Sequence, residues 1–484
     1  MWTGKASSRA NPLARPFHLL SAIVLAILVL SLITKTWILL ALPFAAAFLY
    51  IVVIYPKTLN YLLWASLPIS FPVGLPNGWK VDVPAEPLLL IIMAILIAYG
   101  IYKWYSIPAA YLLHPISLLL LFSYLWMWVT VLPAEHRDVA VKFGLAKTWY
   151  LFGFYIGALY FIHTLKDIDT ILRLLITVAA FTIVYTLVRH AQEGFSYVAS
   201  NMAPNPFYKN HVDYATHLAV IVPYLWYYLR THSPRHILTR AWWHFVALLF
   251  IVGIALSYTR AAYVALLLML FSYVAIRLRA IQYFIMLGVL LTLGLLANLA
   301  TNNRYLDYAP QYEKTIAHRD FLELLEATPR GQDLSTMERV HRWIAGFYMM
   351  RDRPLFGFGP NNFYESYKPY TVSAFHTYVS HNPEQSGIHN YFLLLAVEQG
   401  IPAMLLFIAL CFFTLFRLQQ LYHHLESMQG RAFVMSAALA LTGIVAILLI
   451  NDMIETIKIG PFFYFILATI LLFEIKKIHH SIKS

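Results

Sequence analysis

Charged residues and cysteine are scarce in this chain. Only 12% of its 484 residues are charged, about half of the roughly 25% found in soluble domains, whereas 60% are hydrophobic. This balance excludes a soluble enzyme and a disordered protein. The single cysteine, Cys411, excludes an internal disulfide and a cysteine-based metal site. The composition is that of a polytopic α-helical membrane protein.

Long apolar runs are abundant. A helix that crosses a bilayer needs about 20 apolar residues. Such runs occur at about 17–34, 37–55, 59–72, 87–102, 115–132, 147–165, 168–188, 211–229, 241–258, 261–278, 281–299, 389–416, 431–450 and 461–475. They predict an all-α fold with about 12–14 transmembrane helices. The run at 59–72 is short and contains Pro68 and Pro72, so it is either a span or a re-entrant segment.

The excess of basic residues fits a positive-inside distribution better than a nucleic-acid partner. The net charge is +12. If 59–72 spans and the N-terminus is cytoplasmic, the inner segments hold sixteen Lys and Arg and the short outer loops hold nine. The N-terminal segment contains Lys5, Arg9 and Arg15 but no small-residue cleavage site, so we expect an uncleaved first helix. The interval 300–388 is external in this scheme.

That interval is too long for a structureless loop. It holds nine Lys and Arg and ten Asp and Glu, and apolar residues recur at helical spacing over 312–325 and 337–350. We therefore expect three domains. They are an N-terminal transmembrane bundle over 1–299, an external, mostly helical subdomain over 300–388, and C-terminal transmembrane helices over 389–484.

Two arginines are candidate phosphate-binding residues. Arg260 lies between two apolar runs near the outer interface, where its fixed charge and fork of donors suit phosphate. A snorkelling arginine at a helix end is the structural alternative. Arg339 and Trp343 are four residues apart and share a helix face, with Arg342 on a neighbouring face. For these three, the alternative is the solvated charged face of an amphipathic helix.

Histidines at the outer ends of spans are the second group of candidates. His389 precedes an apolar run, where a histidine near its neutral pKa can act as a general base. A hydrogen-bonded interface histidine is the alternative. Lys209 and His211 lie at the outer end of another span, where they would line the same cavity. The glycine- and proline-rich segment 353–363 predicts a tight turn that packs the external subdomain against the membrane.

Three elements of the sequence, in order over about 255–410, resemble the O-antigen ligase and polymerase superfamily. The first is Ser257-x-x-Arg260-Ala261. The second is Glu338-Arg339-x-x-x-Trp343 with Asp352-x-Pro354-Leu355-x-Gly357-x-Gly359-Pro360-x-Asn362-Phe363. The third is His389-Asn390-x-x-Leu393 with Glu398-x-Gly400-Ile401-Pro402.

The resemblance implies an enzyme of the bacterial inner membrane with a GT-C-like fold and a large periplasmic loop. Such an enzyme is an inverting, metal-independent glycosyltransferase without a cofactor. It takes a glycan from undecaprenyl pyrophosphate at the periplasmic face, and in the ligase the acceptor is the lipid A–core. Carried over by position, Arg260 and Arg339 would hold the pyrophosphate, and His389 would be the catalytic base. A second His-Asn pair, His381-Asn382, keeps His381 open as an alternative base.

Other functions stay open at this point. Within the superfamily, a polymerase would use a second lipid-linked repeat unit as the acceptor, and a protein O-oligosaccharyltransferase would use a serine or threonine. A polysaccharide flippase or secondary transporter would have a similar number of helices. A transporter should show repeat-like halves with interrupted helices at matching places, whereas this chain has one asymmetric external insertion. The sequence leaves the glycan and the oligomeric state open.

Overall fold

The computed structural model describes residues 14–36, 42–43, 54–74, 80–103, 108–232, 236–310, 315–316, 320–382 and 385–478. The start of the N-terminal segment and most of the predicted span at 37–55 lie outside these residues. The chain divides into two compact units, 1–60 and 61–484. The division at 299 and 388 that the sequence suggests stays a prediction.

The described elements are almost all helical. The first unit contains α1 (Ala14–Thr34), and α2 (Pro56–Ser66) begins in it. The second unit continues with β1 (Phe71–Gly74), β2 (Lys80–Val83), α3 (Ala85–Lys103), α4 (Ala109–Leu112), α5 (Pro115–Val131), α6 (Arg137–Tyr150), a π-helical turn (Leu151–Ile156), α7 (Gly157–Phe161), α8 (Leu165–Gln192), α9 (Tyr197–Ser200), α10 (His211–Thr231), α11 (Ile237–Ala255), α12 (Arg260–Arg277), α13 (Ile281–Ala300), α14 (Phe321–Ala327), α15 (Leu334–Asp352), α16 (Phe363–Ser366), α17 (Tyr391–His424), α18 (Met428–Leu448) and α19 (Gly460–Glu474). The strands β1 and β2 pair antiparallel in a two-stranded sheet.

Seven helices in the described part of the chain are long and apolar enough to cross a membrane. They are α3, α8, α11, α12, α13 with its 3₁₀ extension to Tyr308, α17 and α18. Three shorter apolar helices lie in α1, α5 and α19. The all-α polytopic membrane fold is thereby confirmed, while the number of 12–14 spans stays a prediction. The almost fully buried helix α18 forms the centre of the second unit, where it packs against α10, α12 and α17.

The segment at 59–72 is not among the described helices that are long and apolar enough to cross a membrane. Its helix, α2, has 11 residues and a length of about 17 Å, against about 30 Å of hydrocarbon. The buried ammonium of Lys458 closes the turn that follows by donating to the carbonyl oxygens of Leu67 at 2.6 Å and Ser70 at 2.8 Å. The helix is too short to cross the hydrocarbon by itself, and the two interpretations of 59–72, as part of a span or as a re-entrant segment, stay predictions. The side of the membrane on which 300–388 lies stays a prediction.

The interval 300–388 contains the predicted helix over 337–350, which lies within α15. Asp333 begins this helix by accepting a hydrogen bond from the backbone N–H of Ser335. The predicted helix over 312–325 is wrong at the described residues 315, 316 and 320, while 312–314 and 317–319 lie outside the described residues. Among the described residues, Ile316 pairs with Asp333 in an isolated bridge, and helix α14 begins only at Phe321.

The turn at 353–363 packs against a break in α17. At this break Gly400 has a positive φ of 83°, and a side chain there would overlap the backbone of Leu355. The backbone N–H groups of Asn361 and Phe363 donate to the carboxylate of Glu398 at 2.8 and 3.2 Å. This supplies the partners that a carboxylate within an apolar helix requires. The turn thus packs against α17, and the prediction that it joins an external subdomain to the membrane stays a prediction.

Candidate active site

Four polar segments meet at one end of the helices. The hydroxyl of Thr259, before α12, donates to the carbonyl of His211 at the start of α10, at 3.3 Å. The side chain of Asn390, before α17, donates to the carbonyl of Leu449 at the end of α18, at 3.0 Å. Helix α15 joins this group through the contacts of Arg260 and Arg342. The sequence-predicted site residues on these segments are thereby brought to one region.

Arg260 is fixed by the start of α15. Its Nη2 lies 2.9 Å from Oδ2 of Asp333, and its Nη1 donates to the hydroxyl of Thr328. The carboxylate of Asp333 is only 2% exposed. Burial opposes ionisation of Asp333, but hydrogen bonding from Thr336 and the charge of Arg260 outweigh it and lower its pKa. Arg260 is therefore not simply a snorkelling arginine, because it joins α12 to the interval 300–388.

Arg339 is a partly buried cation that forms no ion pair with the described residues, although the charges of Asp333 and Asp452 act on it. Its Nε atom is buried and meets no hydrogen-bond acceptor in the part of the chain that the structure describes. Burial and the nearby charge of Arg260 lower the pKa of Arg339 to about 10, and Arg342 adds to this effect. The guanidinium stays charged at neutral pH. A buried donor without a partner costs about 1–3 kcal/mol, and an anion bound here would remove that cost.

Arg342 and Trp343 are held within the protein. Arg342 donates through Nε to the carbonyl of Glu338 at 3.0 Å and through Nη1 to the carbonyl of Gly387 at 2.9 Å. It thereby fastens the segment before α17 to α15. Trp343 packs against a core cluster that includes Ala345, and its buried indole Nε1 has no partner among the described residues. Their substrate-binding roles stay predictions.

His389 is a neutral histidine beside the half-buried carboxylate of Asp452. Its Nδ1 lies 3.8 Å from Oδ1 of Asp452 and has no hydrogen-bond partner among the described residues. Burial, followed by the charges of Arg339, Arg342 and Lys209, lowers the pKa of His389 to about 3. Burial also raises the pKa of Asp452. The imidazole is therefore uncharged and able to accept a proton.

Gly387 allows this approach of the carboxylate. A side-chain carbon at Gly387 would overlap Oδ2 of Asp452. The backbone N–H of His389 also contributes a hydrogen bond to Asp452. His381, the alternative base, is exposed and lies eight residues before His389 in the sequence. The charges of Arg339 and Lys209 act on His389, and the choice between His389 and His381 as the base stays a prediction.

Lys209 and His211 form another side of the region. Lys209 is exposed, and its charge acts on both His389 and Asp452. The Nδ1 atom of His211 lies 3.0 Å from Oδ1 of Asn201. The sequence-predicted residues Arg339, His389 and Lys209 are thus near neighbours, with Arg260 close to Arg339.

Two further residues belong to the region. Asp452 lies 63 residues after His389, and Tyr197 begins the short helix α9. The ring of Tyr197 lies 6.4 Å from the ring of His211 and 6.0 Å from that of Phe321. Burial raises its pKa, against the opposing charge of Arg260. No sequence signal marks Tyr197, because an aromatic residue in a short segment between two long helices is common in any membrane protein.

The acidic and histidine side chains do not form a metal cluster in the described residues. Within that part of the chain, no group of three or more His, Cys, Asp or Glu is arranged to hold a metal ion. Positive charges are close instead. Those of Arg339, Arg342 and Lys209 act on His389, and those of Arg260 and Arg342 act on Arg339. Such a region suits an anionic ligand. Independence from metals stays a prediction.

Comparison with known families gives one match. The family model described as O-antigen ligase matches residues 245–408, which are 164 of the 484 residues. No curated protein matches the chain. The matched segment includes Arg260, Arg339 and His389, so the resemblance that the sequence suggested is confirmed. It supports an O-antigen ligase or polymerase type of function in general, in a multi-pass membrane protein.

Proposed function

We propose that the chain transfers a glycan from undecaprenyl pyrophosphate to the lipid A–core. It does so as an inverting, metal-independent glycosyltransferase of GT-C type, at the periplasmic face of the inner membrane. The observation that carries this proposal is that Arg339, whose buried Nε has no partner among the described residues, lies near the neutral histidine His389. The family match over 245–408 supports the same conclusion.

The pyrophosphate binds at Arg339. Its buried Nε has no partner among the described residues, and a phosphate oxygen is the acceptor that a guanidinium fork fits best. Arg260 contributes its charge and its remaining donors, since Asp333 and Thr328 use only part of its fork. Fixed cations of this kind stabilise the negative charge that develops on the leaving pyrophosphate.

The transfer is a single displacement. The hydroxyl oxygen of the acceptor attacks C1 of the donor sugar, the bond from C1 to the pyrophosphate oxygen breaks, and the anomeric configuration inverts. His389 takes the hydroxyl proton. The carboxylate of Asp452, 3.8 Å from Nδ1, favours the tautomer with a proton on Nδ1, so that Nε2 is the accepting atom. A positioned base contributes about 10²–10⁴-fold to the rate.

Donor binding and base strength are coupled. In the free protein, burial and then the charges of Arg339, Arg342 and Lys209 hold the pKa of His389 at about 3, which makes a weak base. The two negative charges of a bound pyrophosphate offset these cations, so the pKa of His389 rises toward its ordinary value. The base becomes effective only when the donor is in place.

Four further residues complete the proposed donor pocket. Lys209 adds positive charge on one side, and His211 faces Tyr197 across a ring distance of 6.4 Å. Arg342 and Trp343 form the wall on α15. Arg342 acts there mainly by holding the carbonyl of Gly387 at 2.9 Å, two residues before His389.

The test is transfer by the purified protein in liposomes. A synthetic undecaprenyl-pyrophosphate glycan is offered with lipid A–core, with a second lipid-linked repeat unit, or with a serine- and threonine-containing peptide. We expect product with lipid A–core. Product with the repeat unit alone would identify a polymerase, and product with the peptide alone a protein transferase. Movement of the donor across the bilayer without any product would show a flippase and contradict the proposal.

A further inference from the structure

A second concave region lies on the external interval, away from His389. It is an open cleft of about 410 Å³ between the end of α15 and the segment after α16. Its lining includes Tyr348, Arg351, Asp352 and Tyr370. Tyr348, Arg351 and Asp352 are three and four residues apart, so they project from one face of α15. The volume lies in the range of about 300–1,000 Å³ that is usual for ligand sites.

The two tyrosines of the cleft are fixed in place. The phenol oxygens of Tyr348 and Tyr305 lie 3.1 Å apart, and the ring of Tyr305 stacks on that of Phe375 at 6.2 Å. The hydroxyl of Tyr370 donates to the carboxylate of Asp352. Since these groups are already held, a ligand would not have to order them when it binds.

The charges of the cleft cancel, and most of its polar groups are planar. The guanidinium of Arg351 lies over the ring of Tyr348 at 5.7 Å, and the carboxylate of Asp352 is next to it in the chain. A net charge near zero does not favour a phosphate or a strongly acidic ligand. A neutral carbohydrate fits this lining better. The flat rings can accept the C–H face of a sugar, and the neighbouring carboxylate and guanidinium can bind its hydroxyl groups.

The position of the cleft separates it from the donor pocket. Tyr348 follows Arg339 by nine residues on the same helix, which is about two and a half turns and about 14 Å. The two side chains therefore lie on opposite faces of α15. A glycan whose reducing end is at Arg339 can reach the cleft only with sugars several units away from the reacting carbon.

We propose that this cleft is a binding site for the distal part of a carbohydrate chain. The inference rests on the proposed function, which supplies a glycan polymer at this end of the molecule. An open cleft of fixed tyrosines holds one stretch of the chain while its reducing end reacts. The site increases the affinity for donors with a long glycan and does not change the affinity for a donor with a single repeat unit.

Binding is measured first, without any donor lipid or acceptor. Oligosaccharides of one, two and four repeat units, released from the lipid-linked donor by mild acid, are offered to the full-length protein in nanodiscs. Saturation-transfer NMR reports their binding. We expect binding that strengthens with length and that weakens about tenfold in Tyr370→Ala, a loss of about 1.4 kcal/mol, because the variant removes an aromatic contact. Tyr370→Phe keeps the ring and should retain most of the affinity.

Tyr378→Ala is the matched control, because Tyr378 is also exposed on the same interval but does not line the cleft. Equal binding by wild type and Tyr370→Ala, or no binding by wild type at millimolar concentration, would overturn the inference. Transfer rates give a second readout. Tyr370→Ala should raise the KM for a polymer donor and leave the rate with a one-repeat donor unchanged. Since binding is scored without catalysis, failure of the cleft and failure of the proposed transfer are distinguishable.

Discussion

Arg260 and Asp333 form a salt bridge of 2.9 Å between the first turn of α12 and the residue that begins α15. They are 73 residues apart in the sequence. Because α15 contains Arg339, this ion pair determines where the guanidinium of Arg339 lies relative to the membrane helices. The position of the proposed donor pocket therefore depends on one buried carboxylate outside the family motifs.

Asp333→Asn should weaken donor binding without removing any group that contacts the donor. The variant leaves Arg260 without its carboxylate, and the loss of one partner of a buried ion pair is strongly destabilising, by about 3–5 kcal/mol when both partners are fully buried. Arg260 is 26% exposed, so we expect a smaller loss. Thermal unfolding in detergent and the KM for donor measure the effect. Asp307→Asn, at an exposed position, should change neither, and an unchanged KM in Asp333→Asn would contradict the role of this pair.

The pH dependence should differ between the free and the donor-bound enzyme. The pKa of His389 is about 3 in the free protein, chiefly through burial, so protonation of His389 should not reduce kcat/KM between pH 5 and 7. Once the donor offsets the surrounding cations, the acid limb of kcat should lie at higher pH than that of kcat/KM.

Lys209→Met provides the matched variant for this prediction. Removal of the Lys209 charge raises the pKa of His389, because that charge is one of those that lower it. The acid limb of kcat/KM should therefore move toward higher pH. Identical acid limbs of kcat and kcat/KM in the wild type, together with no movement in Lys209→Met, would show that His389 is not the titrating base.

Transfer should survive exhaustive chelation. Fixed arginines take the place that a divalent cation has in other phosphate-dependent enzymes. The rate of the purified protein in EDTA, with and without added Mg²⁺ or Mn²⁺, measures this directly. A requirement for either ion would refute the metal-independent mechanism.

The interval 300–388 should be accessible from the periplasm. Cys411 is buried, so a Cys411→Ser background allows a single reporter at Tyr378→Cys. A membrane-impermeant maleimide added to intact spheroplasts should label this variant before lysis. As a comparison, Met428→Cys at the start of α18, an exposed position, should be labelled only after lysis. The reverse pattern would place the candidate site on the cytoplasmic face.

The fold class and the motif residues were within reach of the sequence. Hydropathy gives the membrane helices, and three-to-four spacing gives the helix over 337–350, because both signals are local. The short helix α2 was ambiguous, since its apolar length resembles a span and only the contact of Lys458 with the turn at 67–70 shows its end.

The contacts that build the site could not be predicted. The approach of Asp452 to His389, the bond from Arg342 to Gly387 and the position of Tyr197 all join residues that are far apart in the chain. Periodicity carries no information about such pairs. Glu338 and Arg342, by contrast, are four residues apart on one helix, and their contact at 3.5 Å is the kind that sequence spacing does indicate.

The most direct test compares initial transfer rates to lipid A–core in four variants that retain normal protein levels. A synthetic undecaprenyl-pyrophosphate glycan is the donor. Arg339→Lys replaces a fork of donors with a single ammonium, and His389→Ala removes the base, so each should lose about 100-fold or more in rate. Arg304→Lys and His381→Ala, at exposed positions, should stay near the wild-type rate. Near wild-type transfer by Arg339→Lys and His389→Ala would contradict the proposed site.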